Sequence, residues 1–426
     1  MGWVMAIMPL VLLLLGIPIF LLLLTTCITA IVFFSKLPHT VVHQLMFDAL
    51  NKFPLIAVPF FIFTGDLMSR GGLSARLMRW VASMFGSFRA NLPLTSLGFA
   101  AVFGAISGAT TASVAAVGSI TYPRLLQAGY SERFASALIV SECALDNLIP
   151  PSIAFILYGI ATETSVAHLF AAGILPGLVL GGVFAVYIYV HSFKEDIDTR
   201  RAFSWSEFVA ASREGIWPLG AILVIFGGIY SGMFSPTEAA GVSCVYAIFV
   251  AMVIYREVDL QGLFQSAART LFLTGTFFLI VSVAGMFGWL LTISGAAGAV
   301  SNAMTTLHAP GWVILLMMNV FLLFVGCFLD TGTALLVLSP LLLPIAKQIG
   351  VNPIHFGVIV VMNLTIGGFH PPFGLNIFVF QAMFKTPSRV LYPGLIPFVA
   401  LAIFALMLVT YIPALSLVLL PYMLGH

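Results

Sequence analysis

Charged residues are scarce in this sequence: they make up only 8% of its 426 residues, while 61% are hydrophobic. A soluble globular protein carries about 25% charged residues. So few charges cannot cover a water-facing surface of this size, which excludes a soluble fold and favours a polytopic helical membrane protein. The apolar runs are continuous and not alternating, which disfavours a transmembrane β-barrel. At roughly 20 residues per crossing, the apolar length allows about a dozen membrane segments.

Clustered cysteines and a strong net charge are also missing. The four cysteines lie far apart without any CxxC pair, so we expect neither a disulfide framework nor a cysteine-based metal site. The net charge of +2 gives no support to nucleic-acid binding. The N-terminal stretch, residues 1–34, has no charge before Lys36 and overruns the apolar core of a signal peptide. It is predicted to be a retained membrane helix.

The two halves of the chain look like an internal repeat. When the first half is shifted by 221 residues, every proline between residues 110 and 176 falls on a proline of the second half. The matched pairs are Pro123 with Pro344, Pro150 with Pro371, Pro151 with Pro372, and Pro176 with Pro397, and Thr110 falls on Thr331. This pattern predicts a first membrane repeat over 1–190, a polar connecting loop over 191–215 and a second repeat over 216–426. An odd number of crossings in each half would make the repeats inverted.

Each half contains a small, polar, glycine-rich stretch inside an apolar segment. In the first half it covers residues 104–113, and in the second half it covers Asp330–Thr333. Backbone groups cannot stay unpaired against lipid, so such stretches fit the tips of re-entrant hairpins that face a site. We predict these hairpins over about 92–125 and 311–347. Close helix packing by small residues is the alternative explanation.

Each half also contains a helix interrupted by a proline pair, Pro150–Pro151 or Pro371–Pro372. These broken helices are predicted over about 131–163 and 353–384. Proline frees the carbonyl four residues before it. Freed carbonyls can coordinate a cation, and the helix N-terminus that follows can face an anion. An ordinary kink is the alternative.

Asp330 is isolated, because no other acidic residue occurs between Asp259 and the C-terminus. It follows the apolar run 311–329, where a bare buried carboxylate is costly. With Thr331 and Thr333 it supplies oxygen atoms, which hard monovalent cations prefer. A helix cap at the surface is the alternative.

Other polar residues give weaker signals. Glu142 and Asp146 precede the first proline pair and could carry protons or orient the break, or could simply face an interface. The histidines have no metal-ligand spacing, so no transition-metal site is proposed. Ser107 lies in no GxSxG elbow and no HExxH motif occurs, so the sequence does not predict an enzyme.

Several stretches resemble the large membrane subunit of tripartite ATP-independent periplasmic (TRAP) transporters. They follow the family's order along nearly the whole chain. The matching stretches are Ile56–Gly65, Phe103–Gly108, Leu148–Ser152, Gly227–Ala240, Asn352–Gly357 and Asn363–Gly367 running into Pro371–Pro372.

The resemblance implies an elevator-type fold, in which a transport domain carrying the two hairpins moves against a fixed scaffold. It also implies sodium-coupled uptake of small organic acids, without a cofactor, across the bacterial inner membrane. The implied partners are a small four-helix membrane subunit, a periplasmic substrate-binding protein, a carboxylate substrate and the lipid bilayer.

Site residues follow from the repeated elements and from the resemblance together. The predicted sodium-binding residues are Ser107, Gly108, Thr110, Asn147, Pro150, Asp330, Thr331, Thr333, Gly367 and Pro371. The predicted substrate-binding residues are Ser107, Pro151, Ser152, Asn363, His370 and Pro372. Arg124 and Arg389 are only guesses for a group that clamps a carboxylate.

The sequence therefore predicts a sodium-driven permease subunit for sialic acid, C4-dicarboxylates or similar acids. One alternative is a stand-alone proton-coupled transporter that uses Asp330, Asp146 or His370. The other alternative is an intramembrane enzyme that uses Ser107.

Overall fold

The computed structural model describes residues 1–108, 110–195, 197, 200, 202–295, 298 and 309–424. Over these residues the secondary structure is helical, with no strand. Among them, seven helices are long and apolar enough to cross a membrane, and eight further apolar helices are shorter. The predicted fold class, an all-α polytopic membrane protein, is confirmed. The crossing-length helices are fewer than a dozen because several apolar segments are divided into short helices.

Five helices precede the first hairpin. They are α1 (Gly2–Leu14), α2 (Ile19–Phe34), α3 (Thr40–Leu50), α4 (Ala57–Arg70) and α5 (Leu73–Phe85). The stretch 1–34, predicted as one helix, is in fact two. Gly16 adopts a left-handed φ of +74°, and Pro18 begins the second helix as its N-cap. A turn of this kind ends one helix and starts the next.

The first hairpin and the first broken helix follow. The hairpin consists of α6 (Asn91–Ser107) and α7 (Thr110–Gln127). The broken helix consists of α8 (Glu132–Glu142), a 3₁₀ turn (Cys143–Asn147) and α9 (Ile153–Thr162). We call residues 148–152 the first break.

Four long elements join the two halves. They are α10 (Val166–Lys194), α11 (Trp205–Tyr230), α12 (Pro236–Phe249), which continues into a π-helical turn (Val250–Ile254), and α13 (Leu260–Ile293). Within the interval 191–215, predicted as a connecting loop, α10 continues to Lys194 and α11 begins at Trp205. The two helices therefore extend into the predicted loop from both sides, and they carry Lys194, Glu207, Arg213 and Glu214. Residues 196, 198, 199 and 201 of this interval lie outside the described residues.

The second half repeats the hairpin and the broken helix. Its helices are α14 (Gly311–Gly326), α15 (Thr331–Gln348), α16 (Pro353–Gly367), α17 (Leu375–Phe384), α18 (Ser388–Tyr411), α19 (Ala414–Leu417) and α20 (Leu420–Leu424). The second hairpin is α14–α15, and we call residues 368–374 the second break. Both proline pairs have a cis peptide bond.

Helix starts in the two halves correspond almost residue for residue. The matched starts are Thr110 with Thr331, Glu132 with Pro353, Ile153 with Leu375, and Val166 with Ser388, an offset of 221 or 222 residues. The proline register of the sequence is thus also the register of the helices, as expected of an internal repeat.

The halves pack into each other. Helix α7 contacts α17, α8 contacts α18, and α9 contacts α15, so each broken helix or hairpin of one half lies against an element of the other half. Outside this unit, α4 packs on α12 and α13, and α5 packs on α11. Large side chains that contact no solvent, such as Phe99, Phe155 and Phe356, fill the interior.

Candidate functional site

A cavity of about 550 Å³, here called the central cavity, lies where the two hairpin tips approach α4 and α13. Residues from both halves line it. From the predicted site these are Ser107, Gly108, Thr110, Asn147, Asp330 and Thr331. The fold therefore brings six of the predicted residues to one place, although the two tips lie more than 200 residues apart in the chain.

The tip of the first hairpin is tightly enclosed. Gly108 has a left-handed φ of +60°, and an ideal Cβ there would lie 3.2 Å from the carbonyl oxygen of Pro151. The Ser107 hydroxyl lies 3.1 Å from that of Ser113. On the side of α4, a Cβ at Gly65 would lie 3.0 Å from Ser107 Cα. The tip therefore places hydroxyl and carbonyl oxygens between the first break and α4.

Asn147 connects the first break to the second half. Its Nδ2 donates to Thr365 Oγ1 at 3.1 Å, and its carbonyl oxygen accepts from Ser152 Oγ at 2.7 Å. Ser152 also caps α9, because its Oγ accepts from the amide of Phe155. Thr365 was not among the predicted site residues.

Asp330 is the N-cap of α15, the second helix of the second hairpin, and it lies in the wall of the central cavity. Its Oδ2 accepts from the Thr333 amide at 2.9 Å, and its Oδ1 accepts from Thr333 Oγ1 at 2.6 Å. The sequence offered a cation site or a surface cap as alternatives, and the structure shows a cap that faces the central cavity. One lone pair on each carboxylate oxygen remains available after these bonds.

The remaining predicted residues do not line the central cavity. They are Pro150, Pro151, Ser152, Thr333, Asn363, Gly367, His370, Pro371 and Pro372. Thr333 is buried beneath Asp330, and Asn363 is fully buried, where its Nδ2 donates to Asn319 Oδ1 at 2.6 Å. His370 Nδ1 lies 3.4 Å from Cys327 Sγ at the end of α14. The roles of these nine residues in binding stay predictions.

Two carboxylates lie fully buried beneath the first tip. Glu142 Oε1 accepts from Ser96 Oγ at 2.5 Å, whereas Glu142 Oε2 and both oxygens of Asp146 have no hydrogen bond to a described residue. Gly104 of α6 faces Asp146: a Cβ there would lie 2.8 Å from Asp146 Cα. Only glycine lets α6 approach the 3₁₀ turn this closely.

Replacing Gly104 with alanine is therefore expected to push α6 away from the 3₁₀ turn and destabilise the protein by about 2 kcal/mol. Thermal unfolding of the purified protein in detergent measures this change. Gly182→Ala on α10 is the matched control, because no atom lies within 4 Å of its Cβ position. Equal midpoints for the two variants would contradict the close approach.

Sequence reasoning missed two charged residues of the cavity, Asp66 on α4 and Arg269 on α13. Asp66 Oδ1 lies 3.6 Å from Arg269 Nη1, and Asp66 Oδ2 lies 3.0 Å from Arg70 Nε. A signal existed, since Arg269 is the only charged residue between 260 and 293. A single charge within a long apolar helix usually faces a protein interior or a wet cavity. Arg124 lines a different cavity, together with Gln127 and Glu207.

Comparisons with known proteins agree with this architecture. Residues 6–415 match the family model described as "Tripartite ATP-independent periplasmic transporter, DctM component". The chain is 37% identical to the C4-dicarboxylate TRAP transporter large permease protein DctM of Pseudomonas aeruginosa, covering 88% of each chain. It is 35% identical to the ectoine/5-hydroxyectoine large permease protein UehC of Ruegeria pomeroyi, covering 96% of each. It is 32% identical to the sialic acid large permease protein SiaM of Vibrio cholerae, covering 90% of each.

Two solved transporters share the fold at low sequence identity. The YdaH transporter of Alcanivorax borkumensis gives a TM-score of 0.59 at 13% identity, with 88% of this chain and 89% of that chain covered. MtrF of Neisseria gonorrhoeae gives 0.57 at 12% identity, with 94% of each covered. These likenesses concern the fold alone, whereas the family match extends over nearly the whole sequence. The chain therefore belongs to the DctM family, the large permease proteins of TRAP transporters.

Proposed function

We propose that this protein is the permease subunit of a sodium-coupled importer of small organic acids. The observation that carries the proposal is the central cavity, which collects hydroxyl, carboxylate and carbonyl oxygens from the tips of both hairpins. Sodium is a hard cation that oxygen ligands suit. Its binding at the tips would neutralise Asp330 and the carbonyl dipoles, and would order the hairpins around the substrate.

Coupling in this proposal is a difference in affinity between two conformations. Sodium and substrate would both favour the conformation in which the tips are ordered, so each would raise the other's affinity. The hairpins and broken helices would form the moving transport domain, and α4, α5 and α11–α13 would form the scaffold of an elevator.

The proposed setting is the bacterial inner membrane, with a small four-helix membrane subunit and a periplasmic substrate-binding protein as partners. The relatives carry names for C4-dicarboxylates, ectoines and sialic acid, and a further one for isethionate. These compounds define the panel of substrates that we propose to test first.

The test is uptake into proteoliposomes that contain the permease and its proposed partners. Succinate, N-acetylneuraminate, isethionate and ectoine are supplied with an inward sodium gradient, with an inward proton gradient without sodium, or with neither. We expect at least one acid to accumulate more than about 10-fold with sodium and not with protons alone. Accumulation driven by the proton gradient without sodium would instead support the proton-coupled alternative.

A further inference from the structure

Arg269 exposes its guanidinium to the central cavity. It lies in the first third of α13, and 63% of its side chain is exposed. Among the described residues that line this cavity, the ionisable side chains are those of Asp66, Arg269 and Asp330. Arg269 is thus the single cation in the described part of the lining.

The ion pair that holds Arg269 is loose. The 3.6 Å separation between Arg269 Nη1 and Asp66 Oδ1 is too long for a hydrogen bond, and Arg269 donates no hydrogen bond to a described residue. Asp66 is closer to Arg70, which lies one turn further along α4 and also donates to Gln265 Oε1 at 3.3 Å. The single carboxylate of Asp66 is therefore paired with two guanidinium groups, those of Arg70 and Arg269. These three side chains together carry a net positive charge.

Asp330 does not cancel that charge by pairing with it. Both of its carboxylate oxygens accept hydrogen bonds from Thr333, and no ion pair joins it to Arg269 among the described residues. The cavity lining thus includes the oxygen-rich hairpin tips and a guanidinium on α13 that is held only by the 3.6 Å ion pair with Asp66. A guanidinium binds a carboxylate or sulfonate through two parallel hydrogen bonds.

We propose that Arg269 is the anion-binding group of the central cavity, and that the acidic group of the transported molecule replaces Asp66 as its principal partner. This inference rests on the proposed function, since it assumes that the cavity is the substrate site. In this proposal the selection of anionic over cationic substrates depends on Arg269 of α13, a helix that belongs to neither hairpin. The hairpin tips then provide the sodium site, and α13 provides the attraction for the anion.

The effect of the Arg269 charge on the electrostatic potential of the cavity can be measured without knowing the substrate. Ser119 of α7 is exposed and lines the same cavity, whereas the four native cysteines are buried. In a Ser119→Cys protein, the rates of labelling by an anionic sulfonatoethyl methanethiosulfonate and a cationic trimethylammonioethyl methanethiosulfonate are compared. Adding Arg269→Gln should lower the anion-to-cation rate ratio by about 3- to 10-fold, because it removes a unit positive charge from the wall of the cavity that Ser119 also lines.

Two further variants complete the test. Arg269→Lys should keep most of the ratio, because the charge remains. Arg79→Gln is the matched control: Arg79 is 61% exposed and ion-paired with Glu214, but it does not line the cavity. An unchanged ratio in Arg269→Gln, or an equal fall in Arg79→Gln, would overturn the proposal.

Uptake distinguishes this inference from the proposed function. For whichever acid of the panel the wild type accumulates, Arg269→Gln should raise the half-saturating concentration at least about 10-fold, with Arg269→Lys intermediate. If the labelling ratio falls but no acid accumulates with sodium, the anion site stands and sodium-coupled transport fails. If uptake depends on sodium but both Arg269 variants match the wild type in labelling and uptake, the anion site fails alone.

Discussion

An Asp330→Ala protein is expected to reach the membrane and to lose sodium-dependent uptake, by a factor of about 100 or more. The physical reason is the double position of this carboxylate: it caps α15 through Thr333, and it faces the central cavity. A carboxylate in a partly buried membrane site contributes more to binding a cation than a neutral oxygen does. The measurement is initial uptake against sodium concentration in proteoliposomes, normalised to the amount of protein.

Two variants separate the charge of Asp330 from its capping role. Asn caps a helix about as well as Asp, so Asp330→Asn should keep the thermal stability of the wild type and still raise the half-saturating sodium concentration at least about 10-fold. Asp259→Ala removes an exposed cap, at the start of α13, where Asp259 Oδ1 accepts from the Gly262 amide at 2.7 Å. It should lower stability by about 1 kcal/mol without changing the sodium dependence. Normal sodium dependence in Asp330→Asn would reduce Asp330 to a cap.

A Gly367→Ala protein is expected to accumulate poorly or to unfold at a clearly lower temperature. Gly367 ends α16 and touches Gly326 at the end of α14: a Cβ at Gly367 would lie 2.5 Å from Gly326 Cα and 2.7 Å from its carbonyl oxygen. The obstacle is backbone and cannot rotate away, so we expect a loss of about 3 kcal/mol or more. Thermal unfolding in detergent and the yield in the membrane fraction measure it.

The same variant tests what Gly367 does. The sequence predicts a sodium ligand here, and a ligand of this type would act through its carbonyl oxygen, which alanine retains. A stable Gly367→Ala protein would therefore argue against the packing role. Gly275→Ala is the control, because its Cβ position on α13 has no atom within 4 Å. It should behave like the wild type.

Much of the architecture could be predicted because helix breakers and helix caps are local signals. The offset between Thr110 and Thr331, and between the two proline pairs, is visible in the sequence and reappears in the helix starts. The tips were predictable for the same reason: glycine and hydroxyl residues in an apolar segment need a partner other than lipid. Four residues chosen in this way line one cavity together with Asp330, which was chosen for its isolation, and Asn147, which the family resemblance implied.

What could not be predicted depends on packing between distant segments. Asp66 and Arg269 become neighbours only because α4 packs on α13. Neither helix belongs to the repeated hairpins or broken helices that the sequence pattern identifies. The burial of Asn363 and Thr333 is likewise a tertiary property, because a polar residue near a break can face either the cavity or a neighbouring helix. Local patterns identified the breaks but not the direction in which each side chain points.

The hydrogen bond between Asn147 and Thr365 has a mechanical consequence. It is one of several links between the halves, since Tyr158 also donates to the carbonyl oxygen of Pro353, and Tyr122 shares a hydrogen bond with Thr386. Sliding one broken helix against the other would break these hydrogen bonds, so in the proposed elevator the two broken helices would move together.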